Sequence, residues 1–501
     1  MLKALNIPAV YATSLPIQRV ISRKIREMTD EIWRWDATRM AGAIARREIS
    51  SREAVSSCLE RMAAVNPRLN AVTVDLGAAA GAAADRADAA VARGDALGAL
   101  HGVPVTIKEN IDQAGCATTN GVVAFRNLIA QEDSPVVANW TAAGAVIIGR
   151  TNTPAFSFRL DTENDLRGRT WNPWSEQHTP GGSSGGAASS VAAGITPLAH
   201  GNDIAGSIRY PAFACGLAGL RPSFGRVPAF NPSGGGERSM SSQLMSVQGP
   251  IARSVRDVRL GLASMAASDP RDPWWVPAPL EGEPIERPIQ VAVVTDPEHL
   301  GGAPLHPTVA DALRRAAGWL ADAGYEIVDA RTPGFMRAME LWTAMQMPEI
   351  RLLFAPAVQE FGDAGIKRAM ALWTAGHPAE DGAAYMKALA ERARVIREWQ
   401  CFLARVPLVL SPVSTEPVYR IGFDLESVER TSTVWRECAT LTAVAVLGLP
   451  ALAVPTGVVD GLPTGVQIMS GRFREDLCLA AGEAIEARSG MAAAVPIDIA
   501  W

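Results

Sequence analysis

The first groups in this chain able to do chemistry are serines set in a glycine-rich run. Between Gly181 and Pro228 the sequence reads GGSSGGAASSVAAGITPLAHGNDIAGSIRYPAFACGLAGLRPSFGRVP. Ser183 and Ser184 lie in a glycine nest, and Ser207 follows 24 positions after Ser183, directly behind Ala205 and Gly206. Glycine lets the backbone bend sharply and approach other groups closely, so each serine sits where amide N–H groups can be exposed. A hydroxyl beside exposed amides supplies the parts of a nucleophile with an oxyanion hole. The run lacks a histidine placed to serve as base. GGSSG matches the G-x-S-x-G elbow of serine hydrolases, which needs a strand directly before it. Here the preceding WNPWSEQHTP reads as a proline-punctuated loop. His200, His299, His306 and His377 follow downstream, each in a setting that reads as structural or surface. No G-K-[ST] completes a phosphate cradle.

A serine base other than histidine is a lysine held neutral, and Lys108 is the candidate. It ends the apolar run VPVTIK, where burial would disfavour the ammonium. Pairing with Glu109 or Asp112 is the competing structural reading. Only five of the 47 basic residues are lysines. Arginine substitutes for lysine wherever the amine need not lose its proton, which draws attention to a lysine retained in an apolar strand.

Elements able to position these groups alternate along the chain. Residues 36–67 read as two helices, the second capped near Ser50 or Ser51 with Glu53 in its first turn. Further helices are expected over 78–93 and 136–143. Strands are expected over 102–110, 145–149, 289–294, 325–328, 408–410, 451–454 and 465–469. This alternation predicts an α/β fold with a mixed, mostly parallel twisted sheet covered by helices on both faces. Residues 335–403 read instead as a helical insertion rich in methionine and tryptophan, a candidate lid. Within it Met336, Trp342, Phe354 and Trp373 are the expected lining of a substrate pocket.

The bulk properties narrow the function. A chain of 501 residues with 48% hydrophobic and 20% charged residues reads as globular, and its net charge of −5 gives no electrostatic reason to expect nucleic acid or an anionic membrane. No apolar stretch reaches the roughly 18–20 residues needed to cross a bilayer. The six cysteines show no CxxC spacing, so a reducing cytoplasm is the expected compartment. No metal-ligand cluster or cofactor motif occurs, and neither is expected. Residues 1–28 are basic up to Glu27 and read as an N-terminal extension from an upstream start or as a targeting segment, with the body of the fold over 29–501.

TIKENI (106–111), GGSSGG (181–186), GNDIAGSIRYPA (201–212) and GLRPSFGRVP (219–228) together resemble the amidase signature family. GRTNTPAFSF (149–158), NPW (172–174) and GLPTGVQIMSGRFREDLCLAAGEAIE (461–486) extend the resemblance to roughly residues 30–490. It implies a single α/β domain and a Ser–Ser–Lys triad. Ser207 would be the acylated nucleophile and Lys108 the base. Ser183 would bridge them, with the Gly182–Ser183 peptide bond cis. The amides of Ile204, Ala205, Gly206 and Ser207 would form the oxyanion hole, with Asp203 and Arg209 supporting that loop and Ser184 helping to hold the lysine. Arg150 and Arg221 stand where relatives often carry lysine. The chain departs from the commoner pattern at Asn202, Ile204 and Ala205, where threonine, threonine and glycine are frequent; the Ala205 methyl would narrow the acyl pocket.

The resemblance implies hydrolysis of a small carboxylic amide through an acyl-enzyme, and the tryptophan-rich insertion favours a hydrophobic acyl or aryl group. Esters and carbamates would be side substrates, and a homodimer is the expected assembly. Two other readings are the glutaminase-type subunit of a tRNA-dependent amidotransferase and a catalytically silent binding protein that retains the fold.

Overall fold

The structure is a computed structural model describing residues 31–377 and 381–493. The expected N-terminal extension therefore lies outside the described residues. Eleven strands form one sheet. In spatial order they are Val72–Asp75, Val146–Thr151, Pro104–Lys108, Leu198–Asp203, Val247–Ala252, Ala218–Arg221, Ala451–Val459, Leu462–Ser470, Leu408–Ser411, Gln290–Val293 and Glu326–Val328. Parallel pairing lies to either side of the centre, joining 104–108 to 146–151 and 198–203, and 290–293 to 408–411 and 326–328, while the edge strand 72–75 pairs antiparallel to 146–151. Antiparallel ladders fill the centre, a larger share than the alternation of strands and helices suggests. The reason is local: 451–459 and 462–470 form a hairpin, which needs no crossover helix.

The helices form where the pattern places them. Ser50 caps Ser51–Leu69 in a full capping box with Glu53, satisfying N–H groups the first turn leaves unpaired. Helix Gly185–Ala192 is buried along its whole length and built only of Gly, Ala, Ser and Val. Small residues are obligatory there, since a Cβ on Gly186 would lie 2.5 Å from Asn152 N. The insertion comprises helices Met336–Glu349, Ala355–Phe361, Ala364–Ala375 and Gly382–Leu403, with a π-helical turn at Ile350–Phe354. Phe335, Leu341, Trp342, Met345 and Trp399 pack it onto residues 443–449, so this part of the insertion is core. Leu352, Leu353 and Met386 face outward.

The sheet determines where the site can be. Every residue of Pro104–Lys108 is buried, and Val105 and Thr106 pair with Leu198 and Ala199 on the parallel neighbour. Carrying that register forward sets Lys108 beside the 201–203 end of its neighbour. Both strands end there, at the carboxyl edge where open α/β sheets place ligands.

Candidate active site

Lys108 is fully buried, and its Nζ lies 2.7 Å from Ser183 Oγ, 3.1 Å from Ser184 Oγ and 2.8 Å from Asn202 Oδ1. Burial holds the amine well below the usual lysine range, against the opposing pull of the Asp203 carboxylate. A neutral amine has two N–H donors and one lone pair. Asn202 Oδ1 can only accept, and the Ser184 hydroxyl is directed at Asn202 O (3.4 Å). The two N–H groups therefore go to Asn202 and Ser184, and the lone pair faces the Ser183 hydroxyl. Neither Glu109 nor Asp112 takes Lys108. Glu109 is paired with Arg167 at 3.1 Å, and Asp112 accepts from groups of the loop after Asn231 such as Ser233 N at 2.6 Å.

Ser183 enters this arrangement through a cis Gly182–Ser183 peptide bond, as the resemblance implies. Ser183 and Ser207 open onto the same cavity of about 240 Å³, and the Ser184 N–H donates to Ser207 O at 3.3 Å.

The loop before Ser207 is clamped from below. Asp203 accepts from Arg209 Nε (2.9 Å) and Nη2 (3.0 Å), Arg221 Nη1 (3.3 Å), Gly206 N (2.9 Å) and Ile208 N (3.2 Å). Burial by itself would raise this carboxyl, but the two guanidiniums and the Gly206 amide outweigh it and hold Asp203 far below the carboxylate range. Arg209 also donates to Gln467 Oε1 (2.7 Å) and Leu441 O (2.7 Å). Gly206 has φ +108°, and a Cβ there would meet Leu441 Cδ1 at 2.6 Å. This corrects one expectation: the Gly206 N–H is committed to Asp203 and helps shape the loop. The amides of Ile204, Ala205 and Ser207 donate to no acceptor among the described residues, leaving three N–H groups for an oxyanion.

Ser207 also lines a second, narrower cavity of about 40 Å³ with a largely apolar wall that includes Phe158, Leu160, Ile204, Ala205, Trp342, Ile350, Trp373 and Trp435. Trp435 lies 4.9 Å from Trp342 and 5.0 Å from Trp373 between ring centroids. Trp342 Nε1 donates to Ile204 O at 3.1 Å, which ties the insertion to the loop that carries Ser207. Of the four expected pocket residues, Trp342 and Trp373 line the cavity, and Met336 and Phe354 line neither. Met336 stands six positions before Trp342, and six residues at 3.6 per turn carry it off the cavity face. Phe354 would continue the stripe from Trp342 through Ile350, but the π-helical turn rotates it away, and it packs behind Phe158 at 5.3 Å.

Several residues at the site carry little signal in the sequence. Asn202 was visible only as a departure from a pattern. Phe158 lay in a family motif without a role, and Trp435 lay outside every motif. His200, within the glycine run, is buried and neutral: burial pushes its pKa down to about 3. Its Nδ1 accepts from Lys108 N at 3.4 Å and its Nε2 faces Gln248 Oε1 at 2.8 Å.

The position of Asn202 yields a prediction. Asn202→Asp would place a carboxylate against Lys108 Nζ, and an adjacent opposite charge raises a lysine pKa. The acidic limb of kcat/KM should move at least about one pH unit upward, with less effect on the rate at alkaline pH. A pH–rate profile of the variant checks this.

A buried amine facing two serines, beside free loop amides on a mixed α/β sheet, defines a hydrolase of the serine–lysine type. The chain belongs to the Amidase family, whose profile matches residues 53–479. It is 46% identical over 463 residues to an indoleacetamide hydrolase of Bradyrhizobium diazoefficiens, covering 92% of this chain and 88% of that protein. It is 33% identical to a glutamyl-tRNA(Gln) amidotransferase subunit of Roseiflexus castenholzii, covering 88% and 93%. A bacterial aryl acylamidase of the amidase signature family superposes with TM-score 0.78 at 25% identity, covering 92% of this chain and 98% of that one. The protein is an amide hydrolase acting on carbon–nitrogen bonds other than peptide bonds. The higher identity to the indoleacetamide hydrolase favours this over the amidotransferase reading. No helix among the described residues is long and apolar enough to cross a membrane.

Proposed function

We propose that the protein hydrolyses primary arylacetamides of the indole-3-acetamide kind to the arylacetate and ammonia, with Ser207 as nucleophile. The observation that carries this reading is the position of Ser207 between two unlike cavities. One is a narrow cleft walled by Trp342, Trp373, Trp435 and Phe158, apolar faces of the chemistry that suits an aryl group. The other is larger and mixed, with Asn110, Asn120, Asn231 and Gln248 beside Phe156 and Phe230, and its amide groups suit a polar leaving amine and water. The relative at 46% identity is an indoleacetamide hydrolase, which supports the same choice.

In this mechanism Ser207 Oγ attacks the amide carbonyl and passes its proton to Ser183, whose own proton moves to Lys108 Nζ. The amides of Ile204, Ala205 and Ser207 stabilise the oxyanion. As the C–N bond breaks, Ser183 protonates the departing nitrogen and recovers a proton from Lys108. Water entering from the larger cavity then gives its proton to the same relay and attacks the acyl-enzyme, releasing the acid and restoring Ser207. Asp203 and Arg209 act as positioning residues that hold the loop. A homodimer in the cytoplasm belongs to the same reading, and light scattering on the purified protein tests the dimer.

The test is ammonia release from indole-3-acetamide, phenylacetamide, acetamide and glutamine under one set of conditions. The aryl amides should exceed acetamide and glutamine by at least about 10²-fold in kcat/KM, at the upper part of the roughly 10–200-fold that a single methylene discriminates in an apolar pocket. Glutamine as the best substrate would overturn the proposal.

A further inference from the structure

The tryptophan-walled cavity contains a polar group that the protein leaves unused. Gln346 lines it and is only 2% exposed, yet its Nε2 has no partner. Its side chain makes no hydrogen bond to any described residue. Apart from Ser207 itself, the other polar side chains along this wall are engaged. Arg159 pairs with Asp424 through Nε (2.9 Å) and Nη2 (3.0 Å). Ser157 Oγ donates to Asn120 Oδ1 (2.7 Å) and accepts from Asn110 Nδ2 (2.9 Å). Trp342, Gln346 and Ile350 follow at i, i+4 and i+8, the spacing of one helical face, so the amide projects between a tryptophan and an isoleucine into an apolar space.

A desolvated amide without a partner is costly, and a leucine or methionine at this position would fill the same space without that cost. The partner must then come from whatever enters the cavity. We propose that Gln346 is a specificity-determining residue that accepts a hydrogen bond from a ring N–H of the aryl acyl group, so that the enzyme selects nitrogen-bearing rings such as indole over all-carbon rings of similar size. The inference rests on the arylacetamide reading above. Nε2 is the enclosed atom of this amide, whereas Oε1, which has no partner among the described residues, is not enclosed, so Oε1 is the atom open to a ring N–H and no hydrogen bond has to break to receive it. A site built to satisfy a substrate N–H rejects the analogue that lacks it, since the buried partner is then stranded.

The test is a ratio measured within one enzyme preparation, which cancels differences in the active fraction. For the wild-type enzyme, kcat/KM on indole-3-acetamide should exceed that on naphthalene-1-acetamide by about ten- to a hundredfold, the range set by stranding one buried polar group. Gln346→Leu should bring the ratio to within about threefold of unity or invert it, mainly by improving the naphthyl substrate. Gln346→Met, with a flexible side chain of similar length, should behave alike. A wild-type ratio near one means that solvent satisfies the amide and overturns the proposal. So does a large ratio that survives both substitutions, and in either case the arylacetamide reading stands if both compounds are cleaved well. If neither aryl amide is cleaved while acetamide is, both readings fall together.

Discussion

Replacing Ser207 by alanine should lower kcat on the best amide substrate by about 10⁴–10⁶-fold, the range found when a serine nucleophile is removed from a working site. KM should change little, because the cavity walls and the free amides of Ile204 and Ala205 remain in place. The fold should also survive. Ser207 meets its neighbours through its backbone, accepting from Ser184 N at 3.3 Å, and no buried partner depends on its hydroxyl. Ammonia release under single-turnover conditions measures the loss. Labelling with a fluorophosphonate should modify the wild-type protein and not the variant. Full activity in Ser207→Ala would remove this serine from the mechanism, and Ser183, the hydroxyl on the same cavity that lies 2.7 Å from Lys108 Nζ, would take its place as candidate.

The second large effect concerns Lys108 and is expected to act on activity and stability in opposite directions. Lys108→Met should reduce kcat/KM by at least about 10³-fold, within the range that general-base catalysis contributes. The acidic limb of the pH profile, attributed to protonation of this amine, should disappear from the residual rate. In the folded protein burial lowers the lysine pKa, whereas the unfolded chain has an ordinary lysine. Between these two values the unfolded state binds the additional proton, so the group subtracts stability as the pH falls below the unfolded pKa. The penalty grows until the folded pKa is reached and is constant below it. A methionine of similar length removes it, so the variant should be more stable than the wild type at pH 7 by about 1–2 kcal/mol. The gain should shrink near pH 10, close to the unfolded lysine pKa of about 10.4. Denaturant unfolding at both pH values tests this, and a variant less stable than wild type at pH 7 would argue that Lys108 is charged in the folded protein.

The strands most easily read from sequence are those with apolar, β-branched runs, such as 104–108, 290–293 and 408–411. Three central strands carry no such signal: Leu198–Asp203, Ala218–Arg221 and Val247–Ala252. They read LAHGND, AGLR and VQGPIA, with glycine, proline and polar residues that ordinarily mark turns. Their places in the sheet follow from neighbours on both sides and from helices of small residues packed close over them, conditions a local window does not contain. The hairpin 451–470 was legible as two short strands, but its full length depends on the ladder between them.

The site divides in the same way. Lys108, Ser183 and Ser207 were legible because the chemistry demands rare combinations: a lysine where arginine is otherwise the rule, and serines set in glycine. Their types and spacing marked them as candidates, and the motifs around them carried the resemblance to the family, which implied the amide-hydrolase class and the role of each. Only the tertiary structure decided which groups meet those residues. It commits the Gly206 amide to Asp203, directs the Lys108 lone pair at Ser183 through Asn202 and Ser184, and turns Phe354 away while bringing in Trp435 and Gln346. The reason is physical. A nucleophile and its base need particular residue types, which a sequence records. Proton direction, amide availability and the wall of a pocket depend on distances between segments far apart in the chain, fixed only when the sheet is assembled and the insertion packed upon it.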